Sequence, residues 1–288
     1  MAIPANPTRA PTSDKPPQPA RWIPLSLRML AAMLVILGCG SVALIGLQLY
    51  RQQMATREIK RLGGTVSSQE RGPQWLRTFV GNERMKSIDQ VIHVDLQASN
   101  VADSDLPVVC SLPGLNTVNL QKTAVTDDGL APLERLTNLR ALFLSETQVT
   151  DAGMVHIQGL TKLESLTLRG TAITDDGLAK LNGLTKLCLL GLGGTRITDT
   201  GLERIKGLTS LIYLDLDGTH VTDDGLANLK GMPTLIFLGL RDTMVTDQGL
   251  SHLKGLSGLQ RIYFDRTAVT EDGIADLRRA LPNTYIVK

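Results

Sequence analysis

Aromatic residues are scarce: two Trp, four Tyr and four Phe in 288 residues, so any core must be built from aliphatic side chains. Cysteines number three (Cys39, Cys110, Cys188). That is too few, and too scattered, for a disulfide framework or a tetrahedral zinc site. The four histidines (His93, His156, His220, His252) are equally dispersed, and no phosphate-cradling GxxxxGK[ST] loop is present. No Ser/His/Asp or Cys/His constellation stands out, so the sequence suggests no catalysis, cofactor or metal. Charge excess is missing too. The net charge of +2 supports no nucleic-acid partner. A hydrophobic content of 42% excludes wholesale disorder.

What is present falls into segments. Residues 1–28 hold seven prolines and no apolar periodicity, the composition of a disordered, basic tail. Residues 29–50 are apolar and bracketed by Arg28 and Arg51. At about 1.5 Å per residue they span about 33 Å, enough to cross a hydrocarbon core of about 30 Å as a single transmembrane helix. Ser41-Val42-Ala43 is a passable cleavage site, and Ile36-Leu37-Gly38-Cys39 resembles a bacterial lipoprotein box ending in Cys39. The apolar run continues past both, which favours an uncleaved anchor. Four Lys/Arg flank each side, so the positive-inside rule is tied. A short polar tail before a large domain then favours a repeat domain on the non-cytoplasmic side. Residues 51–72 read as a hydrophilic stem ending in a Gly63-Gly64 and Gly72-Pro73 joint. Residues 1–72 hold nine Lys/Arg against three Asp/Glu; the rest hold 21 against 25. The positive charge therefore lies beside the expected membrane.

Beyond residue 90 a single phrase dominates. Thr-x-(Val/Ile)-Thr-Asp or a close variant recurs at Thr123, Thr147, Thr171, Thr195, Thr219, Thr243 and Thr267, always 24 residues apart, within the consensus TxVTDxGLxxLxxLxxLxxLxLxx. Such units are too small to form cores alone and must stack. The LxxLxL element predicts a short strand with Leu163, Leu166 and Leu168 inward. Nine strands are expected, starting near Val91, Leu115, Leu139, Leu163, Leu187, Leu211, Leu235, Leu259 and Asn283. The other half of each unit predicts a short helix, N-capped by a threonine such as Thr174, with Asp175 and Asp176 in its first turn and Leu178, Leu181 and Leu184 inward. The glycines six residues after each column threonine (Gly129 to Gly273) allow close approach of neighbouring units. The Thr123–Thr267 column predicts a hydroxyl ladder bonded to loop backbone. The aspartate column from Asp127 to Asp247 fits helix starts better than calcium ligation, which needs further converging oxygens. Residues 73–90, with Trp75 and Phe79 at helical spacing, are expected to cap the N-terminal end with Trp75 in the core. Glu271–Ala280 is expected to be a longer final helix.

This pattern resembles the leucine-rich repeat, nearest to the cysteine-containing subtype of F-box proteins with Thr in place of Cys or Asn. It is also similar to the TDxGL repeats of bacterial membrane-anchored proteins. The resemblance spans residues 91–288. It implies an α/β leucine-rich-repeat solenoid, with a parallel β-sheet on the concave face and short helices on the convex face, preceded here by the transmembrane helix.

Function is then expected where the repeats differ. Variable strand positions place Leu189, Tyr213, Asp215, Asp217, Phe237, Arg241 and Tyr263 on the concave face. Aromatics flanked by charge are typical of binding hot spots. A shallow sheet suits a protein or peptide better than a small molecule. The leading expectation is a noncatalytic, membrane-anchored protein-binding scaffold. The alternatives are an adaptor in regulated protein degradation, although no F-box-like segment precedes the repeats, and an envelope protein binding glycans through the same aromatics.

Overall fold

The computed structural model describes residues 46–81, 89–112 and 114–288. The chain divides into two units, Met1–Leu47 and Gln48–Lys288. The tail 1–28 and the apolar run as far as residue 45 lie outside the described residues. Among the described residues no helix is long and apolar enough to cross a membrane.

The second unit is organised on one ten-stranded sheet in sequence order. Its strands are β1 (Thr65–Gln69), β2 (Gln90–Asp95), β3 (Thr117–Asn119), β4 (Ala141–Phe143), β5 (Ser165–Thr167), β6 (Leu189–Gly191), β7 (Tyr213–Asp215), β8 (Phe237–Gly239), β9 (Arg261–Tyr263) and β10 (Tyr285–Val287). β2 to β10 are parallel, and each neighbouring pair matches residues 24 positions apart, as in Val94↔Val118 and Leu142↔Leu166↔Leu190↔Leu214↔Leu238. These are the nine expected strands. Their central aliphatic residues are fully buried, as are Leu178, Leu181 and Leu184 of the opposite layer. The helices of that layer are brief. Asp175–Leu178 runs into a 3-10 turn at Ala179–Leu181, Gly153–His156 is a 3-10 turn, and Asp199–Ile205 and Asp247–Leu253 manage two turns. With 24 residues per unit, little chain is left after the strand and its two turns.

Polar columns hold the units in register. Each column threonine donates its hydroxyl to the carbonyl three residues earlier, at 2.6–2.7 Å from Thr123 to Thr267. In four units the threonine's own amide donates to the same carbonyl, as Thr171 does to Leu168 O at 3.2 Å, so the turn after the strand is closed twice. The aspartates do more than start helices: each reaches forward to the next unit. Asp151 Oδ1 accepts from the Thr174 amide at 2.8 Å, and its Oδ2 accepts from the Thr174 hydroxyl at 2.6 Å. The same double bond recurs from Asp103–Thr126 to Asp247–Thr270. It explains the consensus glycine six residues after the column threonine, because a β-carbon at Gly177 would overlap Asp151 Oδ1. A further column after the strands (Ala98, Lys122, Glu146, Gly170, Gly194, Gly218, Asp242, Arg266) has φ between +54° and +67°. Glycine occupies this left-handed position without steric cost in the three central units.

The N-terminal end departs from expectation. Residues 51–72 are not a stem. Residues 46–61 are helical, and Ala55 and Ile59 are buried in the core. The helix closes in a Schellman motif, with the Gly64 amide donating to Ile59 O at 2.9 Å and the Gly63 amide to Lys60 O at 3.1 Å. Gly63 takes φ +89°. At Gly64 a β-carbon would meet Leu96 Cδ2 at 2.6 Å and Asp95 O at 2.8 Å, so only glycine lets the chain turn this close to β2. β1 then pairs antiparallel with β2 and covers its edge. With the end of the core closed in this way, the rings of helix Gln74–Val80 stay outside it. Trp75, expected inside, is 70% exposed, and Phe79 is 87% exposed. Among the described side chains of that helix Arg77 is buried, ion-paired with buried Asp89.

At the other end the expected final helix forms over Glu271–Ala280. Thr270 caps it by accepting from the Gly273 amide at 3.1 Å, and Ile274 and Leu277 are buried.

Candidate functional site: the concave face of β6 to β9

Side chains that alternate with the buried leucines of β6–β9 project from the concave surface. The parallel register makes rows of them. Leu189, Tyr213, Phe237 and Arg261 form one row; Gly191, Asp215, Gly239 and Tyr263 form the next. One residue beyond the strands, Leu192, Leu216, Leu240 and Phe264 turn back inward, and Gly193, Asp217, Arg241 and Asp265 follow.

Unit spacing brings the rings into contact. Tyr213 and Phe237 stack with centroids 4.0 Å apart and planes 9° from parallel; Phe237 meets Tyr263 at 5.4 Å and 42°. The Arg241 guanidinium lies 3.9 Å above the Tyr263 ring, a cation–π contact. It also donates to Asp265 Oδ2 from Nε at 2.8 Å and to Asp217 Oδ2 from Nη1 at 3.1 Å. All three rings are half-buried. The result is a fixed aromatic strip ending in a fixed cation.

Asp215 and Asp217 lie under this surface, 7% and 8% exposed. Asp215 Oδ1 accepts from the Asp217 amide at 3.0 Å, and Asp217 Oδ1 from the Arg241 amide at 2.8 Å. Asp215 Oδ2 takes Arg169 Nη1 at 3.0 Å, across two units. Glycines provide the room. A β-carbon on Gly193 would stand 2.8 Å from Arg169 Nη1 and 3.0 Å from Asp215 Oδ2; one on Gly239 would stand 2.7 Å from Asp217 Oδ1. Burial pushes the Asp215 carboxyl above its ordinary range, helped by the Asp217 charge and opposed by the Asp217 amide and Arg169. Burial likewise raises the Tyr213 phenol, with both aspartates adding to it, so it stays protonated and able to donate. The two acids thus hold two arginines in place, and the arginines and rings form the outward surface.

The structure therefore brings together all seven residues expected at the site, and it adds Arg169 and Asp265. Arg169 occupies the same variable column as Asp217 and Arg241, so its exposure was legible. Its reach over Gly193 to the acid of a unit two away was not. Phe143, another aromatic of these columns, lies three strands from Tyr213 and outside the cluster. Among the described residues, no group of three or more His, Cys, Asp or Glu is placed to hold a metal ion. Burial pushes the Cys110 thiol up to about 12, leaving it protonated at neutral pH.

The family model described as Leucine Rich repeat matches residues 159–181 and 207–230. Among solved structures, an internalin (InlF) from Listeria monocytogenes is similar over 68% of this chain and 53% of that one, at 22% identity and a TM-score of 0.56. Internalin C2 (InlC2) from the same organism is similar over 69% of this chain and 80% of that one, at 27% identity and a TM-score of 0.55. This chain spans about half the length of the first. No curated protein matches the sequence. The repeated strand-and-turn unit, the inward leucines and these likenesses agree: the 24-residue units are leucine-rich repeats, and the fold they build is a leucine-rich-repeat solenoid.

Proposed function

We propose that this protein is a noncatalytic, membrane-anchored scaffold that binds a protein or peptide on the concave face of its repeats. The observation that carries the reading is the Tyr213–Phe237–Tyr263 strip ending in Arg241. Rings and an arginine already locked by neighbours lose little side-chain freedom when a partner covers them. The apolar run 29–50 supports the anchor, and the large domain after a short tail supports a repeat domain on the non-cytoplasmic side.

The test is Tyr213→Ala with Phe237→Ala in the full chain, compared with wild type by proximity labelling from the C-terminus. Wild type is expected to enrich a distinct set of proteins that the variant loses, while circular dichroism shows both folded. An unchanged set from a folded variant removes the strip from the binding site. The same flat rings also suit a sugar, so glycan-array binding that disappears with Tyr213→Ala favours the envelope glycan reading instead.

A further inference from the structure

We infer that the outer face of the N-terminal cap, carrying Trp75 and Phe79, docks into the headgroup layer of the bilayer that holds the anchor. This rests on the membrane-anchored reading above. Trp75 and Phe79 are four residues apart on helix Gln74–Val80, hence on one face, and both are largely exposed. Arg77, between them, points the other way and ties the helix down. It pairs with Asp89 and donates to Arg71 O at 2.9 Å, while the Arg71 amide donates to Asp89 Oδ1 at 3.0 Å. The exposure of the rings is therefore held by a buried ion pair.

Asp89 also joins this helix to its neighbour, since its carbonyl accepts from the Gln52 side chain. On that neighbour, Tyr50 and Met54 are 61% and 46% exposed and again four residues apart. Two apolar pairs thus stand on adjacent helices at one end of the repeat domain. The second helix is continuous in sequence with the apolar run 29–50.

That continuity, together with charge, identifies the occupant. Leaving out Arg77, which Asp89 neutralises, residues 51–81 hold five Lys/Arg and two Asp/Glu, a balance that repels a second copy. Trp and Tyr with basic neighbours are the side chains that settle at a membrane–water interface. Docking there gives the repeats a point of attachment to the bilayer of their own.

The chain has two tryptophans, Trp22 and Trp75. The full chain with Trp22→Phe, reconstituted in phosphatidylcholine–phosphatidylglycerol vesicles, reports on Trp75 alone. Its emission is expected to lie to the blue of a water-exposed indole. Lipids brominated near the headgroup should quench it strongly, and lipids brominated deep in the chains much less. Protein that floats with the vesicles but keeps water-like, unquenched emission overturns the docking and leaves the anchor standing. Protein that does not float overturns both. A blue shift that grows with protein concentration and is insensitive to bromine assigns the face to a second copy and overturns the proposal as well.

Discussion

Gly177 and Gly193 are both glycines for want of space, but the obstacles differ in stiffness. At Gly177 the obstacle is the Asp151 carboxylate, held by two bonds to Thr174. Gly177→Ala must break or bend that link, and a cost of about 2 kcal/mol is expected from overpacking and a strained, half-buried hydrogen bond. In an Asp151→Ala background most of the added cost should vanish, and urea denaturation of the four-variant cycle measures the coupling. At Gly193 the obstacle is largely the far end of the Arg169 side chain, which can swing away. The same link sets an acid dependence. The Thr270 hydroxyl and amide hold the Asp247 carboxyl below its ordinary 3.8. A depressed folded-state value contributes stability that is complete above the unfolded value and lost as pH falls through the folded one. Asp247→Asn is therefore expected to destabilise at neutral pH, and to flatten the fall in melting temperature below about pH 4. An unchanged slope would refute the assignment.

Among the elements, the N-terminal cap shows why part of the fold was illegible. From Arg51 to Arg61 the helix is rich in Arg, Gln, Lys and Glu, with only Ala55 and Ile59 of its apolar residues buried, and β1 reads Thr-Val-Ser-Ser-Gln. A helix that covers only the end of a stack needs a narrow stripe, and a solvated edge strand needs hardly any. Both therefore look like stem. Trp75 and Phe79 carry the stronger apolar signal and nevertheless face out, because burial depends on whether a surface remains to be covered. A chain beginning at residue 73 is expected to aggregate or melt well below one beginning at residue 48, since Val91, Val94 and Leu96 lose their cover. Equal melting temperatures would return residues 51–72 to the role of a stem.

As a whole, the domain is a line of units whose strands and helices pack on their immediate neighbours, with side chains such as Arg169 reaching one unit further, so stability is expected to be close to a sum of unit and interface contributions. Asp175→Ala cuts a link in the middle of the line, and Asp247→Ala cuts the link to the last unit. Hydrogen exchange should then show lost protection on both sides of Thr198 in the first variant, and only from Thr246 to the C-terminus in the second. The 24-residue period by itself determined the stacking, the nine parallel strands, the inward leucines, the threonine ladder and the rows of the concave face. A fixed period turns sequence position directly into spatial neighbourhood. The tertiary structure alone decided that each aspartate serves the following unit, that Arg169 reaches across two units, that Asp215 and Asp217 lie beneath the surface, and that a polar helix and strand close the stack. These depend on side-chain reach and on which surfaces are already covered, and no repeat of letters records either.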